Sequence, residues 1–250
     1  MKRERACGIN AVDALLTHQP ERVIRLWSAG SGARLQTLLE RAARHAIPIQ
    51  QAQPAALDKL SAGETHQGIV AEFRAAEPLQ EADLDQIIAR AGGHTLLLLL
   101  DQVQDPHNLG ACMRSAAAAG AQAVIVPRDH AAGMTPAVRR AAAGAAEIVP
   151  LIEVANLART IQHLQKSGVW CIGLAGEADN SLYRTDLTGA LGLVLGGEEH
   201  GLRQLTRKRC DALAHIPMHG GTESLNVSVA TGIALFEAIR QRNPAAADKR

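Results

Sequence analysis

Aromatic side chains are almost missing from this chain: two Trp, one Tyr and two Phe make up 2% of its 250 residues. Modules of the RRM or OB type read RNA by stacking bases on exposed rings, so those classes are excluded. Cysteine is scarce and scattered. Cys7, Cys112, Cys171 and Cys210 include no CxxC pair, which excludes the usual zinc sites and a disulfide framework. Each reads as a small buried residue of a reduced protein. Neither sign of charge dominates, with Lys+Arg at 26 and Asp+Glu at 25, so net charge selects no partner. The leucine run at 96–100 is far too short to cross a bilayer. The charged start Met1-Lys-Arg-Glu-Arg leads into no signal-peptide core, because Asp13 interrupts the apolar stretch that follows. A cytoplasmic protein, with no membrane and no metal partner, is the expectation. Two phosphate-binding patterns are also missing, the GxGxxG of dinucleotide folds and the GxxxxGK[ST] of P-loops.

Small and aliphatic residues take the place of the rings. The hydrophobic fraction is 47%, enough for a sizeable core of Leu, Val, Ile and Ala, and alanine favours helices. The length suits one large α/β domain or one such domain with a small companion. Charge is unevenly placed. Residues 1–75 are rich in arginine, and an acidic run with Glu77, Glu81, Asp83 and Asp85 follows. A basic face on the first segment suits phosphates, and a solvated surface accounts for the same residues equally well.

Hydrophobic periodicity divides the chain. Helices are expected at 8–16 and 33–46, with strands at 22–29, 47–52 and 67–74. This makes a small α/β unit over residues 1–75, near the lower limit for independent folding. Residues 76–94, with Pro78, the acidic run and Gly92-Gly93, read as a linker with room for a short helix at 83–90. The second unit, 95–250, opens on an uninterrupted apolar run, the mark of a strand covered on both faces of a parallel sheet. Further strands are expected at 123–126, 148–151, 169–174, 191–195 and 213–217. Helices fall between and after them, at 112–120, 135–143, 157–166, 202–208 and 226–241. Asn156 is the expected cap of the third of these and Gly168 its stop. Alternating β and α with buried strands is a doubly wound α/β fold, in which ligands bind beyond the carboxyl ends of the strands.

Three stretches lie at such strand ends. In "DQVQDPHNLGACMRSAAAAG" (101–120), Asn108 and Arg114 are six apart, and they converge if Asn108 stands in the loop and Arg114 on the first helical turns. Asn108 as a helix cap and Arg114 as a solvated charge is the plainer alternative. In "LVLGGEEHGL" (193–202), Gly196, Gly197 and Gly201 allow close backbone approach, and Glu198 is the carboxylate best placed past a buried strand. Glu199 suits the ordinary role of an acid at a helix start. In "IPMHGGTESLNVSVATGIALFEAI" (216–239), Ser224 and Asn226 straddle Leu225 at the start of the last helix, and either could cap it. The free backbone N–H groups of that loop suit a purine edge, with Ile216 and Leu225 flanking the ring. His94, His107, His200, His215 and His219 have no metal-ligand spacing.

N-x-G-x-x-x-R at 108–114, G-x-E-x-x-G at 196–201 and S-L-N-V-S-V-A at 224–230 resemble, in order and spacing, the three motifs of the SpoU branch of the SPOUT RNA methyltransferases. The resemblance spans about 95–242. "GINAV" at 8–12 and "HQGIVA" at 66–71 extend it to the L30e-like substrate-binding domain of the subgroup acting on guanosine in the peptidyl-transferase region of 23S rRNA. It implies an α/β catalytic domain with a mainly parallel sheet, in which the C-terminal segment threads a loop to form a deep trefoil knot, against the general rule. It implies S-adenosylmethionine as methyl donor, held by Gly196, Ile216 and Leu225. It also implies a homodimer with active sites completed across the interface, and 23S rRNA as partner.

By the same resemblance Asn108, Arg114, Glu198, Ser224 and Asn226 are catalytic. A guanidinium keeps its proton in most settings, so Arg114 is read as binding the substrate phosphate and polarising the 2'-oxygen. Asn108, Ser224 and Asn226 orient the hydroxyl, and Glu198 holds Arg114 or Asn108. Asn10 stands where relatives often have histidine, Glu199 where many have glycine, and Thr222 and Glu223 lie in a variable stretch. A tRNA 2'-O-methyltransferase, a non-catalytic RNA-binding module and an unrelated nucleotide-binding α/β enzyme are the alternatives.

Overall fold

The computed structural model describes residues 3–75, 79–198, 201–221 and 224–243. The chain divides into two compact units, residues 1–77 with 143–148, and residues 78–142 with 149–250. Glu199, Thr222, Glu223, His200 and the three residues from Ala76 to Pro78 lie outside the described set.

The first unit is a four-stranded mixed sheet. Its strands are β1 (Arg3–Cys7), β2 (Val23–Ser28), β3 (Ile49–Gln51) and β4 (Ile69–Arg74), in the order β1-β4-β2-β3. β4 runs antiparallel to both neighbours, while β2 and β3 are parallel. Helices α1 (Ile9–His18) and α2 (Ala33–Arg44) supply Val12, Leu15, Leu35 and Leu38 to a core shared with Leu26 and Phe73. Two elements were not expected. β1 reads RERAC with Ala6 its one buried residue, so it is a charged edge strand with little apolar alternation to reveal it. α3 (Pro54–Leu60) is a seven-residue helix that buries Leu57 and starts on a proline, whose fixed φ suits a first helical position.

The second unit is a six-stranded sheet whose paired strands are all parallel. Strands β5 (Leu96–Asp101), β6 (Ala123–Pro127), β7 (Leu151–Val154), β8 (Trp170–Leu174), β9 (Leu191–Gly196) and β10 (Ala212–Ala214) lie in the order β10-β8-β9-β5-β6-β7. Every residue of β5 is buried, as its unbroken apolar run requires of a central parallel strand. Leu97, Leu99 and Ile125 pack in one cluster with helices α4 (Leu84–Ala91) and α7 (Leu157–Lys166). By the two-residue period, Leu96, Leu98 and Leu100 turn to the other face. Helix α5 (Pro106–Ala118) packs against α6 (Pro136–Ala142) and α9 (Val227–Arg242).

The short helix given room at 83–90 is α4, whose Leu84 and Ile88 are buried in the core of the second unit. Four expectations are corrected. β7 begins at Leu151 instead of 148, because 145–147 form a 3-10 turn and the Pro150 carbonyl accepts from Val124 N at 2.9 Å. β10 stops at Ala214, and the chain continues only as an isolated bridge between His215 and Ser181. α5 starts at Pro106, six residues before the alanine-rich stretch that signalled it. Asp105 caps it, accepting from His107 N at 2.9 Å, and Pro106 occupies the first helical position. α7 spans the expected residues, with Asn156 as its cap. α8 (Gln204–Arg209) starts two residues later than expected.

Candidate active site

β5 and β9 end side by side, with Asp101 paired to Gly196. Past that point the two strand-end loops interlock. Gly197 N donates to the Asp101 carbonyl at 2.8 Å, and Gly201 N to the Gly197 carbonyl at 3.0 Å. The Asp101 side chain is fully buried and takes Arg203 N on one oxygen (3.0 Å) and Arg203 Nε on the other (2.7 Å). A β-carbon on Gly196 would collide with the backbone of Gly201 and Leu202, and one on Gly197 would come within 2.5 Å of the Gln102 carbonyl oxygen. Glycine is required at both positions because two backbones cross there.

This crossing holds up Glu198. Its Oε1 accepts Asn108 Nδ2 at 2.6 Å and Asn226 Nδ2 at 2.8 Å, while Asn226 Nδ2 also donates to Asn108 Oδ1 at 3.0 Å. Three side chains separated by 90, 28 and 118 positions therefore form one closed hydrogen-bonded cluster. Each stands at an element end. Asn108 is in the first turn of α5, so it stands neither in the loop, as convergence with Arg114 would require, nor at the cap, which is Asp105. Asn226 caps α9, its Oδ1 accepting from Ser228 N at 2.8 Å and Ser228 Oγ at 2.6 Å. Glu198 Oε2 is hydrogen-bonded to none of the described residues.

Two clefts adjoin the cluster. The first, about 230 Å³, is lined by Gly196, Ile216, Ser224 and Leu225, together with Leu174 and Met218. With Glu198 it gathers three residues expected to hold the donor and two expected to be catalytic. Its walls combine aliphatic side chains with exposed backbone at a glycine crossing, which fits an adenosine flanked by apolar groups and read by amides. The second cleft, about 330 Å³, lies on the Asn108 side and includes Gln102, Gln104 and Asp105. Gly197, Glu198, Gly201 and Val227 line both.

Arg114 is not brought to the cluster. It is exposed on α5 and has no hydrogen-bond or ion-pair partner among the described residues. Six helical positions place it roughly 9 Å along the axis and about 120° around it from Asn108. Among the described residues no group of His, Cys, Asp and Glu is arranged to hold a metal. Cys112 is buried, 3.4 Å from Thr231 Oγ1, and burial pushes its thiol up to about 11, so it packs α5 on α9 as a neutral group. All four cysteines are free, with Cys7 and Cys210 only part-buried. Sequence reasoning missed Asp101 and Arg203. The signal was present, since a carboxylate closing a wholly apolar central strand needs a partner.

Residues 95–236 match the model of the SpoU rRNA Methylase family, and residues 5–79 match the model described as RNA 2'-O ribose methyltransferase substrate binding. The chain is 51% identical over 242 residues to the 23S rRNA (guanosine-2'-O-)-methyltransferase RlmB of Pseudomonas syringae pv. tomato, covering 96% of each. It is 53% identical to the protein of that name from Pasteurella multocida, over 96% of this chain and 98% of that one. Among solved structures, the SpoU methyltransferase AviRb from Streptomyces viridochromogenes in complex with AdoMet superposes with a TM-score of 0.74. That match has 26% identity and covers 96% of this chain and 90% of AviRb.

Proposed function

Because this chain belongs to the SpoU rRNA methylase family, we propose that it transfers a methyl group from S-adenosylmethionine to the ribose 2'-OH of a guanosine in 23S rRNA. One observation carries the reading: Glu198 stands on the wall shared by two clefts, and Asn108 and Asn226 are hydrogen-bonded to it there. One cleft suits the donor, and the other opens where an acceptor must lie.

When bound, the donor supplies a methyl group already activated by a positively charged sulfur. The chain has two tasks left, to align the hydroxyl and to ease the loss of its proton. Alignment alone removes several kcal/mol of barrier in comparable reactions, about 7 or more at best. Gly196, Ile216 and Leu225 hold the donor, and Ser224 borders its cleft. Asn108 and Asn226 are locked by Glu198, so the cluster needs no rearrangement when the ribose arrives, and Asn108 keeps one amide hydrogen to orient it. The new O–C bond forms as the S–C bond breaks, and the hydroxyl proton passes to water.

Arg114 completes the site from a second copy of the chain. On its own protomer it reaches no partner among the described residues, and α9, which packs beside α5, exposes the side chains of Val229 and Phe236 seven positions apart on one face. Such a face suits burial against another copy in a homodimer. There the guanidinium binds a substrate phosphate and polarises the 2'-oxygen, and the open Oε2 of Glu198 holds it. Among the described residues, no helix is long and apolar enough to cross a membrane.

Identity above 50% over nearly the full length to 23S rRNA (guanosine-2'-O-)-methyltransferases favours rRNA over tRNA. An intact cluster argues against a module that has lost its chemistry. Incubation with methyl-labelled S-adenosylmethionine and separate 23S rRNA and tRNA transcripts tests the reading. Label recovered as 2'-O-methylguanosine from 23S rRNA supports it. Label on a base, or on tRNA alone, overturns it.

A further inference from the structure

We propose that the second cleft, between β5's carboxyl end and the start of α5, receives the guanine base of the acceptor nucleotide, with Gln102 and Gln104 as its contacts. The assignment rests on the function proposed above. The cleft is about 330 Å³ and shares Gly197, Glu198, Gly201 and Val227 with the donor cleft. Methyl transfer needs the reacting atoms about 3–3.5 Å apart, so the acceptor nucleotide must occupy space continuous with the donor's. The volume lies at the lower end of the roughly 300–1,000 Å³ of ligand pockets. It suits a single nucleoside turned out of its stack, in the way enzymes that act on one nucleotide extract it.

The charge of the lining decides which part of the nucleotide enters. Among the described residues of one copy its polar side chains are those of Gln102, Gln104, Asp105, Asn108 and Glu198, two carboxylates and three carboxamides without a cation, and the partner's Arg114 meets only the Glu198 rim, leaving the body of the cleft without positive charge. Such a lining repels a phosphate and offers acceptors to a donor-rich edge. Guanine presents N1–H and the N2 amine side by side with O6, and a carboxamide can accept from the first and donate to the last. Neither glutamine carboxamide is hydrogen-bonded among the described residues, so both are free for a ligand. Gln102 also holds a left-handed backbone at φ 63°, a costly conformation for a residue with a side chain. Its carbonyl lies over Gly197, which fixes that residue at the meeting of the two clefts.

Gln104→Ala and Gln102→Gly test the assignment. Gln104 is exposed and glycine adopts φ 63° freely, so both variants keep the fold. Each is assayed on a 23S rRNA transcript for KM and kcat, by filter binding for affinity to the same transcript, and by calorimetry for affinity to S-adenosylmethionine. The expected result is an acceptor KM raised about tenfold, a parallel loss of transcript affinity, and donor affinity within twofold of wild type. Unchanged KM and transcript affinity in both variants, with an active wild type, overturns this assignment alone. Weakened donor affinity with unchanged KM overturns it too, because the cleft would then belong to the donor. A wild type unable to methylate 23S rRNA overturns the function and this assignment with it.

Discussion

Asp101 is the residue on which the site's geometry depends. It closes an apolar strand, is fully buried, and both carboxylate oxygens are engaged by Arg203, one at the backbone and one at the guanidinium. The tie fixes the return of the 197–203 loop, and through it the position of Glu198. Breaking a buried ion pair can cost about 3–5 kcal/mol. The Arg203 side chain is 39% exposed and can be rehydrated, which discounts the loss to about 2 kcal/mol. Asp101→Ala is expected to lower the urea midpoint accordingly and to reduce kcat. Asp101→Asn, which keeps one acceptor, is expected to recover part of both. Equal midpoints for wild type and Asp101→Ala would contradict the clamp.

At the scale of elements, Asn226 has two roles that one substitution cannot separate. It caps α9 through Oδ1 and joins the cluster through Nδ2. Asn226→Ala is expected to lose about 1 kcal/mol of stability together with methyl transfer. Asn226→Ser restores a good cap without the amide donor, so stability should return while transfer stays lost. A serine variant with wild-type turnover would show that the amide is dispensable.

The elements also show what the sequence made legible. The buried runs at 96–100 and 191–195 announced the central parallel strands, because a strand covered on both faces has no polar alternation to confuse it. The three strand-end motifs pointed to the residues that meet at the cluster, although they are up to 118 positions apart. What stayed hidden has physical causes. β1 is an edge strand made of charges, and α3 is too short for its one buried leucine to set a period. The start of α5 is hidden because Asp-Pro suits a turn as well as a helix start, and here Asp105 is a cap followed by proline at the first helical position. That ambiguity matters for the site. With Asn108 already helical, Arg114 is carried away from it, and convergence within one protomer fails.

For the whole molecule, the proposed consequence is an active site divided between two copies. A heterodimer of one Arg114→Ala subunit and one Asn226→Ala subunit tests this, purified by two different tags. If Arg114 acts on the partner's cluster, one of the two sites regains both residues, and the heterodimer should show about half the wild-type rate although each homodimer is inactive. If Arg114 served its own protomer, every site would lack one residue and no activity would return.

The most direct measurement is a map of ribose methylation across 23S rRNA from cells with and without this protein. The account predicts that one 2'-O-methylguanosine disappears when the protein is absent and returns when it is restored, but not when the Glu198→Ala variant is supplied. An unchanged map, or a lost modification that lies on a base, would contradict it.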